Sequence, residues 1–151
     1  SRPELVLVVP PGEHASAIEA SVREVGWAPV VVEGGARRRD SVRAALAHVN
    51  TPHVLVHDAA RALADAALAG RVLHAARKAG AAVPAIPVPD TLVRGEGGRL
   101  TEPLSREGVF AIQTPQGFET GLLYSQQRPA WPPQRTVPAL DIEEIAGRFR
   151  A

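Results

Sequence analysis

The chain opens on an unbroken apolar run, Leu5-Val6-Leu7-Val8-Val9, stopped by Pro10-Pro11-Gly12. A run without alternation suits a strand covered on both faces. Ile18, Val22 and Val25 then recur at i, i+4 and i+7, with Glu19 and Arg23 paired at i+4 on another face. This spacing predicts an amphipathic helix ending near Gly26. Ala28 to Val32 forms a second β-branched run closed by Gly34-Gly35, after which Asp40 or Ser41 can cap a short helix carrying Val42, Ala45, Leu46 and Val49. His53 to His57 predicts a third strand, and Asp65 to Ala79 a third helix stopped at Gly80. Strands and helices alternate, so parallel strands joined by right-handed helical crossovers are expected.

The pattern changes after Gly80. Ala81 to Ile86 suggests a fourth strand, but Pro84, Pro87 and Pro89 argue for irregular or edge positions. Thr91-Leu92-Val93 and Leu100-Thr101 flank Gly97-Gly98 as the two sides of a hairpin arm. Val109 to Ile112 is a short apolar strand before Gln113-Thr114-Pro115-Gln116. Residues 128–134 form a Pro-rich connector, and Ile142, Ile145, Ala146 and Phe149 predict a closing helix.

Composition narrows the class. A chain of 151 residues suffices for one domain with a sizeable core. With 45% hydrophobic and 22% charged residues, it is neither disordered nor fibrous. A net charge of +1 argues against nucleic-acid binding by bulk electrostatics. No apolar run approaches the roughly 18 residues of a membrane span, and Ser1-Arg2-Pro3-Glu4 does not begin a secretory signal. The absence of cysteine excludes disulfides and thiolate metal sites. A soluble cytoplasmic domain is expected. Lys78 is the single lysine among 17 basic side chains.

In an open α/β sheet, ligands lie beyond the carboxyl ends of the strands. Three loops qualify. Gly34-Gly35-Ala36-Arg37-Arg38-Arg39-Asp40-Ser41 combines adjacent glycines with a helix start and arginines, which favour an anion; it reads equally as a Gly turn with a solvated basic face. His57-Asp58-Ala59-Ala60-Arg61 sets a hydroxyl acceptor beside an anion clamp, or simply forms a salt bridge. His57 itself either titrates near neutral pH or sits as a satisfied neutral histidine. Gln113-Thr114-Pro115-Gln116 can orient a polyhydroxy substrate, or be a Pro-containing turn before a helix. Arg106, after the hairpin, either reaches a neighbouring subunit or faces solvent. P-loop, GxGxxG, HExxH and GxSxG motifs are all absent.

In order and approximate spacing, GGARRRDSV, VLVHDAAR, PVPDT and IQTPQGF resemble one family, the 2-C-methyl-D-erythritol 4-phosphate cytidylyltransferases of non-mevalonate isoprenoid biosynthesis. The resemblance runs from about Leu5 to Phe118. It implies an α/β fold with a Rossmann-like, mainly parallel sheet and a projecting β-hairpin arm at residues 88–108, used for dimerisation. It also implies a nucleotidyltransferase that joins CTP and a sugar-alcohol phosphate to give a CDP-alcohol and pyrophosphate, with Mg2+ assistance. Under this resemblance Gly35, Ala36 and Ser41 recognise the cytosine base. Asp58 and Arg61 lie at the nucleotide and substrate side, Asp58 holding hydroxyls. Thr91 and Arg106 contact the substrate phosphate, Arg106 from the partner subunit of a homodimer, and Thr114 and Gln116 line the substrate.

The chain also departs from the family's pattern. The Gly-rich loop with Arg and Lys that clamps the triphosphate has no counterpart before Leu5, so the chain reads as a partial domain over 1–151. The family's Lys-x-Thr-x-Pro has as its nearest counterpart Gln134-Arg135-Thr136-Val137-Pro138, which makes Arg135 the candidate catalytic cation. Two alternatives carry the same motifs: a ribitol-phosphate cytidylyltransferase, and a non-catalytic α/β dimer module that has lost the triphosphate site.

Overall fold

The computed structural model describes residues 4–12 and 14–126. Arg135, the Pro-rich connector and the expected closing helix lie outside the described residues. The chain divides into two compact units and passes between them after Val54 and again after Gly117.

The first unit holds residues 4–54 and, from 118 onward, a second segment. Strands β1 (Val6–Val9) and β2 (Val30–Glu33) pair in parallel, with Val6 opposite Val30 and Val9 opposite Glu33. The apolar runs place them as expected, and helix α1 (His14–Glu24) makes the crossover. The predicted i,i+4 pair on α1 forms, with Arg23 Nη2 2.7 Å from Glu19 Oε1. Helix α2 (Arg38–Leu46) starts earlier than expected. Arg37 occupies the N-cap without a side-chain cap bond, so neither Asp40 nor Ser41 caps the helix. Asp40 instead sits in the first turn, where the helix dipole favours a carboxylate. Helix α4 (Thr120–Gln126) closes the described part of this unit.

The second unit holds residues 55–117. Helix α3 (Ala66–Ala79) has both predicted ends. Asp65 Oδ1 accepts from the Leu68 N–H at 2.6 Å, and Gly80 ends the helix in the left-handed conformation at φ 81°. Val72 and Ala76 on α3 pack with Ala82, supported by Leu55, Leu68 and Ala75. The expected strand over Ala81–Ile86 divides into β4 (Ala81–Ala82) and β5 (Ala85–Pro87), because Pro84 interrupts it. Strand β5 pairs antiparallel with β8 (Phe110–Ile112). Strands β6 (Leu92–Glu96) and β7 (Arg99–Leu104) also pair antiparallel, joined by Gly97 and Gly98 at φ 56° and 77°. Two successive left-handed residues make the tight turn whose twist matches the flanking strands. Arg94 Nε bonds Glu102 Oε1 across this pair at 2.7 Å.

Strands β3 (His53–Val56) and β9 (Gln116–Glu119) each run through a unit boundary, and the sheet order is β3-β9-β4. The segment after Thr114, expected as a turn leading to a helix, therefore first makes a strand. The fold is α/β, with parallel pairing in β1–β2 and antiparallel pairing in β5–β8 and β6–β7.

Gly117 lies in β9 where an added Cβ would stand 3.0 Å from both Ala76 Cβ and Val72 Cγ1. Gly117→Ala should therefore overpack the α3 contact and cost about 1–3 kcal/mol, read as a lower urea midpoint with an unchanged m-value.

Candidate active site

The two principal motif loops are closed in different ways, the first by its own serine and the second by its backbone and a distant segment. In the first unit, the Gly35 N–H donates to Ser41 Oγ at 3.2 Å. Ser41 thus fastens the loop it belongs to instead of capping α2. The backbone passes so close here that a Cβ on Gly35 would stand 2.5 Å from Asp40 Cβ, and only glycine fits. Gly35, Ala36 and Arg37 are exposed. The loop therefore presents backbone and cationic side chains to solvent ahead of the α2 N-terminus, where free N–H groups favour polar or anionic partners.

In the second unit, β3 ends at Val56 and the chain turns at once. The Arg61 N–H donates to Asp58 O at 2.9 Å, closing a four-residue turn over Asp58-Ala59-Ala60-Arg61. That turn is fastened to the segment after β8. The Asp58 N–H donates to Thr114 Oγ1 at 3.2 Å, and the same hydroxyl lies 3.0 Å from His57 Nδ1. Thr114 is 5% exposed, so its hydroxyl needs these partners. Arg61 Nη1 donates to Gln113 Oε1. Gln113 is itself held, its Nε2 donating to Ala111 O at 3.1 Å and its backbone N–H to Pro84 O at 2.8 Å. Because the amide nitrogen is spent on a carbonyl, the oxygen is the end turned to Arg61.

Asp58 Oδ2 lies 3.7 Å from Arg61 Nε. Both side chains remain open, at 41% and 43% exposure, so this ion pair is worth at most about 1 kcal/mol. A carboxylate and a guanidinium are thus anchored through backbone and amide contacts, yet weakly committed to each other. Both remain open to solvent, a carboxylate accepting hydrogen bonds and a guanidinium donating them.

Of the residues expected from sequence, the structure brings Asp58, Arg61 and Thr114 together in one cluster, and Gly35 with Ser41 in another. Gln116 begins β9, Thr91 immediately precedes β6, and Arg106 follows β7 with Nη1 donating to Pro89 O. Arg135 is outside the described residues. Sequence reasoning does not single out Gln113 as a site residue, although its position directly after β8 and beside Thr114 is visible there. A cavity of about 590 Å³ between Leu46 of α2 and Tyr124 of α4 contains none of the candidates.

Among the described residues, no group of three or more His, Cys, Asp or Glu stands together to hold a metal ion. Among the described residues, then, the donors do not by themselves make an all-protein magnesium cage.

The family described as IspD, 2-C-methyl-D-erythritol 4-phosphate cytidylyltransferase, matches residues 3–144. The chain belongs to this family. The Thermus thermophilus protein named 2-C-methyl-D-erythritol 4-phosphate cytidylyltransferase is 43% identical over 120 residues, covering 80% of this chain and 53% of the relative. The bifunctional enzyme IspD/IspF of Anaeromyxobacter dehalogenans is 48% identical over 132 residues, covering 85% of this chain and 34% of the relative. The crystal structure of the T. thermophilus enzyme superposes with a TM-score of 0.71 at 42% identity, over 82% of this chain and 57% of that one. The chain thus spans between a third and about half the length of these curated relatives. In this chain the Asp58–Thr114 and Arg61–Gln113 bonds join the HDAAR and QTPQ segments.

Thr114→Val should leave the Asp58 amide without its acceptor and cost about 1–3 kcal/mol of stability. Thr114→Ser, which keeps the oxygen, should recover most of the loss in the same urea denaturation.

Proposed function

We propose that this chain performs the cytidylyl transfer of its family. The phosphate oxygen of 2-C-methyl-D-erythritol 4-phosphate attacks the α-phosphorus of CTP in line. A phosphorus–oxygen bond forms, the bond to the β-phosphate breaks, and pyrophosphate leaves with the CDP-alcohol as the other product. The single observation supporting this reading is the fastening of HDAAR to QTPQ, which leaves an anchored carboxylate and guanidinium facing solvent. Such chemistry asks the protein to position reactants and neutralise charge.

In this reading Gly35, Ala36 and Ser41 present backbone groups and a hydroxyl to the edge of the cytosine. Asp58 accepts hydrogen bonds from ribose or polyol hydroxyls, and Arg61 attracts phosphate. Thr114 and Gln116 line the polyol. Thr91 and Arg106 hold its phosphate, and the Arg135 cation acts on the charge developing at the α-phosphorus. Magnesium accompanies the nucleotide's own phosphates; no step is assigned to it. The β6–β7 pair serves as a projecting arm over 88–108 that carries Arg106 to the partner of a homodimer. Pro89 O takes one of the guanidinium's five N–H donors, which leaves the others for a ligand. A cytoplasmic location accords with the described residues, in which no helix is long and apolar enough to cross a membrane.

The deciding experiment is pyrophosphate release from CTP with 2-C-methyl-D-erythritol 4-phosphate or ribitol 5-phosphate as acceptor. Release with the first alone is expected; release only with ribitol 5-phosphate, or with neither, overturns the reading.

Arg106→Ala should raise KM for the acceptor about tenfold, the loss of one charged hydrogen bond, while leaving KM for CTP unchanged. Unchanged acceptor kinetics would remove Arg106 from the site.

A further inference from the structure

We infer that His57 is a positioning residue, which holds the Asp58 carboxylate in place through the hydroxyl of Thr114. The inference rests on the reading above in which Asp58 binds substrate hydroxyls. His57 is the first residue beyond β3, and its side chain is exposed while Nδ1 lies 3.0 Å from Thr114 Oγ1. A threonine hydroxyl has one hydrogen to give and two lone pairs. The Asp58 N–H takes one lone pair at 3.2 Å. The hydroxyl's own hydrogen goes to Nδ1 when the imidazole carries its proton on Nε2. His57 thereby turns the Thr114 lone pair toward the Asp58 amide. In a side chain 5% exposed, that hydroxyl has little access to water as a substitute partner.

The consequence is local. Asp58 begins the turn closed by the Arg61 N–H, so fixing the Asp58 amide fixes where its carboxylate starts and how far it stands from Arg61. The carboxylate–guanidinium contact is exposed and weak, and the backbone anchor adds to its aim. A histidine does this by presenting an acceptor at the Nδ1 position, two bonds beyond Cβ. An asparagine oxygen occupies nearly the same place; a phenylalanine fills the volume and offers nothing.

The test compares the wild type with His57→Phe and His57→Asn, using pyrophosphate-release kinetics and hydrogen exchange at the Asp58 amide. His57→Phe is expected to raise KM for the acceptor phosphate about fivefold, with kcat and KM for CTP changed less than about twofold, while His57→Asn restores the acceptor KM. Asp58 amide exchange is expected to accelerate in His57→Phe alone. Unchanged Asp58 exchange in His57→Phe overturns the inference. So does an equal rise of both KM values, or an asparagine variant as impaired as the phenylalanine one. A wild type that turns over no acceptor overturns the functional reading instead. The exchange measurement needs no turnover, and it still decides whether His57 holds Asp58.

Discussion

The hydroxyl of Thr114 receives the Asp58 amide and meets the His57 imidazole, tying together two segments 56 positions apart in the chain. Without this oxygen the Asp58 amide would lose its acceptor, and the turn after β3 would lean on exposed contacts such as Arg61–Gln113. Burial makes the arrangement strict. A nearly inaccessible hydroxyl has to be satisfied by protein groups, and the groups that satisfy it are the ones that carry the candidate chemistry. Gln113 repeats the logic one residue earlier, with its amide nitrogen engaged by Ala111 and its oxygen turned toward Arg61.

The loop from Gly34 to Ser41 is built differently. It depends on close backbone approach at Gly35 and on a serine that folds back onto the loop's own amide. Here the constraint is steric before it is polar. The second loop is instead fastened from outside, by the hydroxyl of Thr114 and the amide of Gln113. Only Asp58 contributes a carboxylate beside the second loop's cation.

Much of this was legible in the sequence. Unalternating valine and leucine runs marked β1, β2 and β3. Asp65 and Gly80 marked both ends of α3, and Gly97-Gly98 marked the turn between β6 and β7, because caps and left-handed turns are local chemistry. The misread elements were those decided by distant contacts. Ser41 looked like a helix cap because only its neighbours were visible, whereas its partner is the amide of Gly35. The stretch from Gln116 looked like a turn, since nothing within it shows that β3 and β4 flank it in a sheet. The motifs marked Asp58, Arg61 and Thr114 as candidates, but the bonds among them, and the contacts of Gln113, required the fold.

Those two loops also differ in how much chain must exist before each can close. Gly35 and Ser41 are six positions apart, so their bond is available to a growing polypeptide almost as soon as α2 has been made. The turn at Asp58 is closed locally by the Arg61 N–H, but its anchor on Thr114 is distant. It must wait through 56 further positions, past α3 and the β6–β7 pair, before Thr114 is synthesised. During that interval it lacks the contact that fastens it to the segment after β8. Synthesis thus delivers the Gly35–Ser41 loop early and the anchor of the Asp58–Arg61 turn late, and the second inherits every delay or error of the segment between.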